Sequence, residues 1–293
     1  MDIYLTGLRE EMVREGRSLE TIAKYAKDLR RYFFLCNISS PEEITMDAVK
    51  RYVLRLREEE HSTGHIANVL WALKRFLKYL NESGRIDTVW HVSIPHVDAP
   101  DAVDFIERDE LNLIIEALDA QSLNDLRMRT FIEVMTNTGL RPSEALRLTR
   151  DDVRDRKEIE IVGKGKKKRS VYFNDSVHIW VEKYLEQRTD ELPNLFVVHS
   201  KTARPASLRY MENQFKQLLA RAGIQKHYVL HTMRHNYSTN LLINGCPIEY
   251  VAVLLGHSKV ETTRRHYIAI RQKHAKDAHF RYLVPAIQSA SMV

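Results

Sequence analysis

The chain has 293 residues, of which 45 are Lys or Arg and 39 are Asp or Glu, and its sequence pI is about 9.2. This length exceeds that of a single small core and suits two domains. No apolar run reaches the roughly 18 residues that a membrane span needs, and the acidic N-terminus lacks a signal-peptide pattern, so we expect a soluble, cytoplasmic protein.

The first predicted domain, residues 1–92, has a helical pattern of apolar residues throughout. The polar residues that precede its apolar stripes are predicted N-caps of helices: Ser18, Thr45 and Ser62. Ser40-Pro41-Glu42-Glu43 matches a capping box with proline at the first helical position, which predicts a short helix there. Gly84 is expected to end the last helix. The aromatic residues on these stripes are expected to lie in the core.

Residues 93–105 contain two prolines, mixed polarity and no helical period, and are predicted to form a semi-rigid linker. Residues 106–293 are predicted to form a second domain, mainly helical with a small antiparallel sheet. Alternating apolar residues predict two strands of that sheet, at 158–162 and 170–173, joined by a glycine-lysine turn. The predicted helices of this domain lie near 108–119, 125–137, 142–148, 175–187, 207–222, 231–243 and 247–255, and a further short strand lies at 195–198.

The net positive charge lies mostly in the second part of the chain. Residues 96–293 hold 30 basic and 25 acidic side chains, against 15 and 14 in residues 1–95. Five of the six residues from Lys164 to Arg169 are basic. Such a run attracts a polyanion through counterion release, and it is equally typical of a solvated turn.

Five short motifs follow one another in the second domain. They are Thr138-Gly139-Leu140-Arg141-Pro142-Ser143-Glu144, Gly163-Lys164-Gly165, His231-Thr232-Met233-Arg234-His235, Leu254-Leu255-Gly256-His257-Ser258, and Thr262-Thr263 just before Tyr267. One such motif arises by chance in many proteins, whereas five in this order make a specific signal. The set resembles the successive boxes of the tyrosine recombinases, over residues 106–270 by motif and 1–95 by helical pattern.

The resemblance implies a mainly α fold, in which a helical, SAM-like core-binding domain precedes a mixed α/β catalytic domain. It also implies a Xer-like or integrase-like site-specific recombinase that cleaves and rejoins DNA through a 3′-phosphotyrosine. The catalytic residues that it implies are Arg141, Lys164, His231, Arg234, His257 and Tyr267. These residue types suit the reaction, because guanidinium forks bind phosphate oxygens, imidazole and ammonium groups move protons, and a phenol attacks phosphorus. The covalent link retains the energy of the phosphodiester, so no cofactor or metal is expected.

The partner that the resemblance implies is double-stranded DNA with a short inverted-repeat site. A homotetramer would hold two such duplexes, with an apolar tail from about residue 280 docking on a neighbouring protomer. Basic side chains are candidates for phosphate contacts: Lys24, Lys27, Arg31, Lys74, Arg75 and Lys78 in the first domain, and Lys166, Lys167 and Lys168 in the second. We expect no extra arm-binding domain at the N-terminus, which favours the simpler Xer-like type.

Two assignments have alternatives within the same motifs. Lys164 competes for the catalytic role with the three lysines that follow it, and the family's G-K-G pattern favours Lys164. His231 and His235 have the spacing of a zinc-binding pair, but the glutamate of the zinc-protease motif is absent and Arg234 lies between them. A metal site is therefore not expected here, and the resemblance gives His231 the role of a base or proton shuttle.

The nucleophile and the overall function also have alternatives. Tyr267 follows His257 by ten residues, one more than the commonest spacing in the family, and His266 occupies the earlier position. Tyr267 is preferred because histidine forms only a labile phosphoramidate. A type IB topoisomerase and a catalytically inactive DNA-binding regulator are the alternative functions. The helical first domain argues against the topoisomerase, and the full catalytic set argues against the inactive regulator.

Overall fold

The computed structural model describes residues 1–87, 91–96, 105–163, 167–200 and 202–257. The internal contacts divide the chain into two compact units, Met1–Ala99 and Pro100–Val293. This division falls within the segment 93–105, whose role as a linker stays a prediction. Among the described residues, no helix is both long enough and apolar enough to cross a membrane.

The first unit is built from helices that mostly begin at polar caps. They are α1 (Asp2–Arg14), α2 (Leu19–Leu35), α3 (Met46–Glu58) and α4 (Thr63–Glu82). The side chains of Ser18, Thr45 and Ser62 accept hydrogen bonds from backbone N–H groups in the first turns of α2, α3 and α4. These three predicted caps are confirmed.

Two parts of the first unit differ from the prediction. Helix α1 lies in the part predicted to be helical but received no bounds of its own, because its start carries no side-chain cap that would mark it in the sequence. The capping box expected at Ser40 does not form, because the Glu43 carboxylate accepts a hydrogen bond from the backbone N–H of Ser39 at 2.6 Å. Pro41–Glu43 is a single 3-10 turn, closed by a hydrogen bond from the Ile44 N–H to the Pro41 carbonyl.

Aromatic residues of the helical stripes pack in the core of the first unit, as predicted. The ring centroids of Phe33 on α2 and Phe76 on α4 lie 5.4 Å apart, and those of Tyr32 and Tyr52 lie 5.1 Å apart. Burial of each large apolar side chain contributes roughly 1.5–3 kcal/mol. This core therefore holds α2, α3 and α4 together.

In its described residues, the second unit contains short helices and two pairs of strands beside longer helices. Its elements are α5 (Arg108–Glu116), α6 (Leu123–Thr138), α7 (Pro142–Ala145), α8 (Arg150–Val153), β1 (Glu158–Val162), β2 (Lys168–Tyr172), α9 (Asp175–Glu186), β3 (Val197–Val198), β4 (Arg204–Pro205), α10 (Leu208–Arg221), α11 (Leu230–Ile243) and α12 (Ile248–Leu255). Each predicted helix of the domain has a counterpart among these elements.

The strands form two separate antiparallel pairs instead of the single small sheet that was expected. Strand β1 pairs with β2 in a register that places Glu158 opposite Tyr172 and Val162 opposite Lys168. Strand β3 pairs with β4, a strand of two residues ending in proline that the alternation pattern could not reveal. Strand β2 begins at Lys168, two residues earlier than predicted, so Arg169 lies inside it.

Helix α6 is the central helix of the second unit and packs against both α9 and α11. It ends at Gly139, whose φ of +63° is a left-handed conformation that glycine adopts without strain. A Cβ atom at Gly139 would also lie 2.3 Å from Cδ1 of Tyr237 on α11. Close packing and backbone conformation together require glycine here, and the chain turns sharply into Arg141.

Candidate active site

Arg141 lies at the start of a short helix, where Glu144 fixes its position. It is the N-cap residue of α7, with Pro142 in the first position of that helix. The Glu144 carboxylate accepts hydrogen bonds from the Arg141 backbone N–H and from Nη1, each at 2.8 Å. The Arg141 side chain is 27% exposed. One edge of the guanidinium is thus anchored while the group keeps access to solvent.

Glu144 is a buried carboxylate that several guanidinium groups share. Arg169 donates from Nη2 to Oε2 at 2.6 Å and from Nη1 to Oε1 at 3.2 Å, and Arg234 Nη1 lies 3.9 Å from Oε2. Burial by itself raises the pKa of Glu144, but hydrogen bonds from Arg169 and Arg141 outweigh it and lower the pKa to about 2. Glu144 is therefore ionised at neutral pH and serves as an anchor for cations.

Arg234, on α11, is held by two backbone carbonyl groups. Its Nη1 donates to the Gly139 carbonyl at 2.6 Å and its Nη2 to the Leu255 carbonyl at 2.5 Å. Its side chain is only 3% exposed. Burial, with the like charges of Arg141 and Arg169, lowers the pKa of Arg234 to about 9. The guanidinium is still protonated at neutral pH, and the ends of α6 and α12 fix its position.

Two of the predicted histidines lie on segments next to Arg234. Helix α12 ends at Gly256 in a left-handed conformation, and the next residue, His257, has its Nε2 3.4 Å from Arg234 Nη2. His231 is exposed on the first turn of α11, one turn before Arg234, and its ring centroid lies 5.0 Å from that of His235. The structure thus brings Arg141, Arg234 and His257 together, with His231 on the same helix as Arg234.

Two predicted catalytic residues, Lys164 and Tyr267, lie outside the described residues, as does Lys166. The base of the hairpin that carries Lys164 is described, and there the Gly163 N–H donates to the Lys167 carbonyl at 2.8 Å. Lys167 is exposed, while Lys168 pairs across the strands with Glu160.

Arg169 was missed as a site residue because it closes the basic run 164–169 and was counted only as part of that charge. Its residue exposure is 7%, and it makes the bidentate pair with Glu144. The alternation of side chains along a strand could have revealed it. Arg169 shares a face with Val171 and Phe173, which are both buried, and this predicts a buried arginine.

The basic candidates in the first unit fall into two groups. Lys24, Lys27, Lys74 and Lys78 are exposed. Arg31 pairs with Glu59 at 2.6 Å, and Arg75 pairs with Glu11 and Glu15. Lys74 lies over the ring of Trp71, and Trp71, Lys74, Arg75 and Lys78 on α4 line a groove of about 460 Å³ together with residues of α1 and α2. Lys78 also pairs with Glu82, and Arg31 is itself exposed, so ion pairing does not separate the arginines from the lysines as candidates.

In the described part of the chain, no group of three or more His, Cys, Asp or Glu side chains is placed to hold a metal ion.

Two family models match this chain, and the two matched ranges agree with its two compact units. Residues 104–274 match the model of the phage integrase family, and residues 4–84 match that of the phage integrase N-terminal SAM-like domain. The tyrosine recombinase XerD of Halalkalibacterium halodurans is 29% identical over 290 residues, covering 93% of this chain and 95% of the relative. That of Corynebacterium glutamicum is 31% identical over 280 residues, covering 88% and 90%.

A solved structure shows the same fold. The crystal structure of the XerH site-specific recombinase, bound to a palindromic difH substrate in a post-cleavage complex, superposes with a TM-score of 0.71. It is 19% identical and covers 91% of this chain and 81% of the other. The predicted fold class is confirmed, and the chain belongs to the phage integrase family. Within that family it is a Xer-like tyrosine recombinase, as the sequence predicts.

Proposed function

We propose that this recombinase cleaves and rejoins duplex DNA by transesterification, with Tyr267 as the nucleophile. The phenol oxygen attacks the scissile phosphorus, a 3′-phosphotyrosine bond forms, and the bond from phosphorus to the 5′-oxygen breaks. Lys164 protonates the leaving 5′-oxygen, and His231 accepts or relays the proton of the phenol. Rejoining runs these steps in reverse with an incoming 5′-hydroxyl.

Arg141 and Arg234 bind the non-bridging oxygens and stabilise the added charge of the phosphorane, and His257 donates a hydrogen bond to the phosphate. The observation that carries this proposal is the fixed position of both guanidinium groups, one held by Glu144 and the other by backbone carbonyls. Cations held in place before the reaction lower its barrier, because they need no reorganisation when charge develops.

We infer that residues 1–92 bind the DNA arm next to the cleavage point, and that residues 93–105 let this domain and the catalytic domain, 106–293, close around the duplex. The exposed lysines Lys24, Lys27, Lys74 and Lys78 are the phosphate contacts in this proposal. Arg31 and Arg75, which also pair with glutamates of their own unit, are further candidates for such contacts. The DNA-bound XerH relative supports DNA as the partner.

We further propose a homotetramer that holds two duplexes, each with a short inverted repeat, and exchanges strands in two rounds. The palindromic substrate of the XerH relative supports a symmetric site. Closed, symmetric assemblies match inverted repeats, because each half-site then meets the same protein surface.

A nicked suicide substrate tests this function. It carries a candidate inverted repeat taken from the DNA that flanks the gene, and the short 5′-hydroxyl fragment diffuses away after cleavage, so the covalent complex accumulates. The wild-type protein should give such a complex on a denaturing gel. Tyr267→Phe should bind the same DNA and give none, because only the nucleophilic oxygen is lost, whereas His266→Ala should still give it.

Two results would contradict the proposal. Tight binding of the repeat without any covalent complex would indicate an inactive DNA-binding regulator. Relaxation of supercoiled DNA that lacks the repeat, at the same rate as DNA that contains it, would indicate a topoisomerase.

A further inference from the structure

Arg169 is the one guanidinium of the described cluster to which the proposed chemistry gives no role. Its side chain is 5% exposed, and it meets both oxygens of Glu144 in a bidentate pair. The same two oxygens accept the backbone N–H and the Nη1 of Arg141. One carboxylate thus serves two arginines at hydrogen-bond distance, with Arg234 at 3.9 Å.

The side chain of Arg169 packs against two glycines that directly precede other predicted site residues. A Cβ atom at Gly163 would lie 3.1 Å from Arg169 Nη1, and one at Gly256 would lie 2.8 Å from its Cδ. Gly163 directly precedes Lys164, and Gly256 directly precedes His257. Arg169 is therefore packed between the hairpin, the end of α12 and Glu144.

We propose that Arg169 is a positioning residue that acts through Glu144. It donates to both oxygens of Glu144 and so balances most of the charge of that carboxylate. Glu144 can then hold one edge of the Arg141 guanidinium, while Arg141 and Arg234 remain in position to bind the phosphate. A buried carboxylate that loses one cation recruits the nearest others, because an uncompensated charge is costly in the interior. Arg234 Nη1 is the nearest further cation. The inference rests on the proposed function, since the effect of Arg169 is defined on the cleavage of a phosphate that these two arginines hold.

The first test compares Arg169→Met, Glu144→Gln and the double variant on the suicide substrate at saturating DNA. Methionine keeps a long unbranched stem and removes the charge. Arg169→Met should slow formation of the covalent complex by about 10- to 100-fold, the usual cost of a small misplacement of reacting groups.

The affinity of Arg169→Met for a half-site should stay within about twofold of the wild-type value, because cleavage and not binding needs the exact geometry. If Arg169 acts through Glu144, the double variant should react within about threefold of the slower single variant.

A substrate with a methylphosphonate at the scissile position distinguishes a positioning role from a merely structural one. A merely structural role would give the same loss of cleavage rate on this substrate and on the normal one. Its phosphorus carries one charged oxygen fewer, so cleavage depends less on well-placed cations. The rate lost in Arg169→Met should therefore shrink on this substrate. Arg127→Met is the matched control, since Arg127 is fully buried and bonded to the Val197 carbonyl and the Tyr210 hydroxyl. Any loss in that variant should be the same on both substrates.

Three results would overturn the inference while the wild-type protein still forms the covalent complex. One is an unchanged rate in Arg169→Met, another is multiplication of the two single losses in the double variant, and the third is an equal loss on both substrates. If Arg169→Met does not fold, Arg169→Lys keeps the charge without the fork and is compared in the same way. Failure of the wild-type protein itself to form the complex would contradict the proposed function instead.

Discussion

At the scale of single residues, burial acts on two charges of opposite sign with different results. Glu144 and Arg234 are both almost fully buried, and burial disfavours the charged form of each. Glu144 has opposite charges at hydrogen-bond distance, so its pKa falls to about 2 despite burial. For Arg234, burial and the like charges of Arg141 and Arg169 outweigh the attraction of Glu144 at 3.9 Å, and its pKa falls to about 9. A bound phosphate would bring negative charge close to Arg141 and Arg234 and so balance their positive charges.

The lowered pKa of Glu144 makes the stability of the second unit depend on pH. The pKa of about 2 in the folded state lies below the ordinary value of 4.5, so the ionised carboxylate stabilises the fold above the ordinary pKa and this stability is lost as pH falls toward 2. A shift of that size corresponds to on the order of 3 kcal/mol. Glu144→Gln should therefore flatten the acid limb of the free energy of unfolding, measured by denaturant titration at several pH values.

Asp190 provides the matched control for this titration. Hydrogen bonds from Arg188 lower its pKa to about 2 as well, and its partners lie outside the Glu144 cluster. Asp190→Asn should flatten the acid limb too, yet leave the cleavage rate of the folded protein unchanged. An acid limb of the same slope in Glu144→Gln and the wild-type protein would show that Glu144 is not held ionised by its arginines.

Lys164 is testable by changing the leaving group. If it protonates the 5′-oxygen, Lys164→Ala should cleave about 10²- to 10⁴-fold more slowly, the usual loss for a general acid. A substrate with sulfur at the 5′-bridging position should restore most of that rate, because a thiolate leaves without a proton. Rescue of a Lys166 variant, with none for Lys164→Ala, would move the role to Lys166.

At the scale of elements, the turn between α6 and α7 determines where Arg141 lies. Gly139 combines a left-handed backbone with close contact to Tyr237, and its carbonyl also accepts the hydrogen bond from Arg234. The same turn therefore positions both predicted catalytic arginines, Arg141 and Arg234.

Substitution of Gly139 by alanine should lower the free energy of unfolding by more than the strain of its left-handed backbone alone. Gly223 has a similar φ of +71° but no atom within 4 Å of an added Cβ. Gly223→Ala should lose about 1–2 kcal/mol from left-handed strain, and Gly139→Ala should lose about 1–3 kcal/mol more from the clash with Tyr237. Urea denaturation of both variants measures the difference. Equal losses would mean that Tyr237 moves aside freely.

Much of this architecture is encoded locally and was predictable for that reason. Caps such as Ser18 and Thr45 act within one turn, and the motif around Arg141 specifies its own N-cap and its bond to Glu144. Pairings between distant segments were not predictable. Arg75 meets Glu11 across 64 residues, so the sequence could not show that this candidate for DNA contact also pairs with a glutamate of its own unit. Arg169 was hidden in the same way, since its partner lies 25 residues earlier.

At the scale of the whole molecule, the chain joins a helical unit to a unit that carries the described site residues, in the order of the two matching family models. In our proposal neither unit is sufficient alone, because one supplies DNA binding and the other the reaction. The proposed tetramer also requires coupling between protomers.

The C-terminal tail is our candidate for that coupling, and it lies outside the described residues. Its apolar side chains are Phe280, Tyr282, Leu283, Val284, Ile287 and Val293. Deleting residues 281–293 should leave binding of one protomer to a half-site intact and weaken cooperative assembly and recombination, as gel shifts and a two-site assay would measure. A truncated protein that assembles and recombines like the full chain would show that the tail packs on its own domain instead.

The most direct measurement is the identity of the residue that becomes linked to DNA. The covalent complex trapped on the suicide substrate is digested with protease and nuclease, and mass spectrometry locates the remaining nucleotide on a peptide. Our account predicts a 3′-linked nucleotide on Tyr267. A nucleotide on His266 or on any other residue, or a link through the 5′ end, would contradict it.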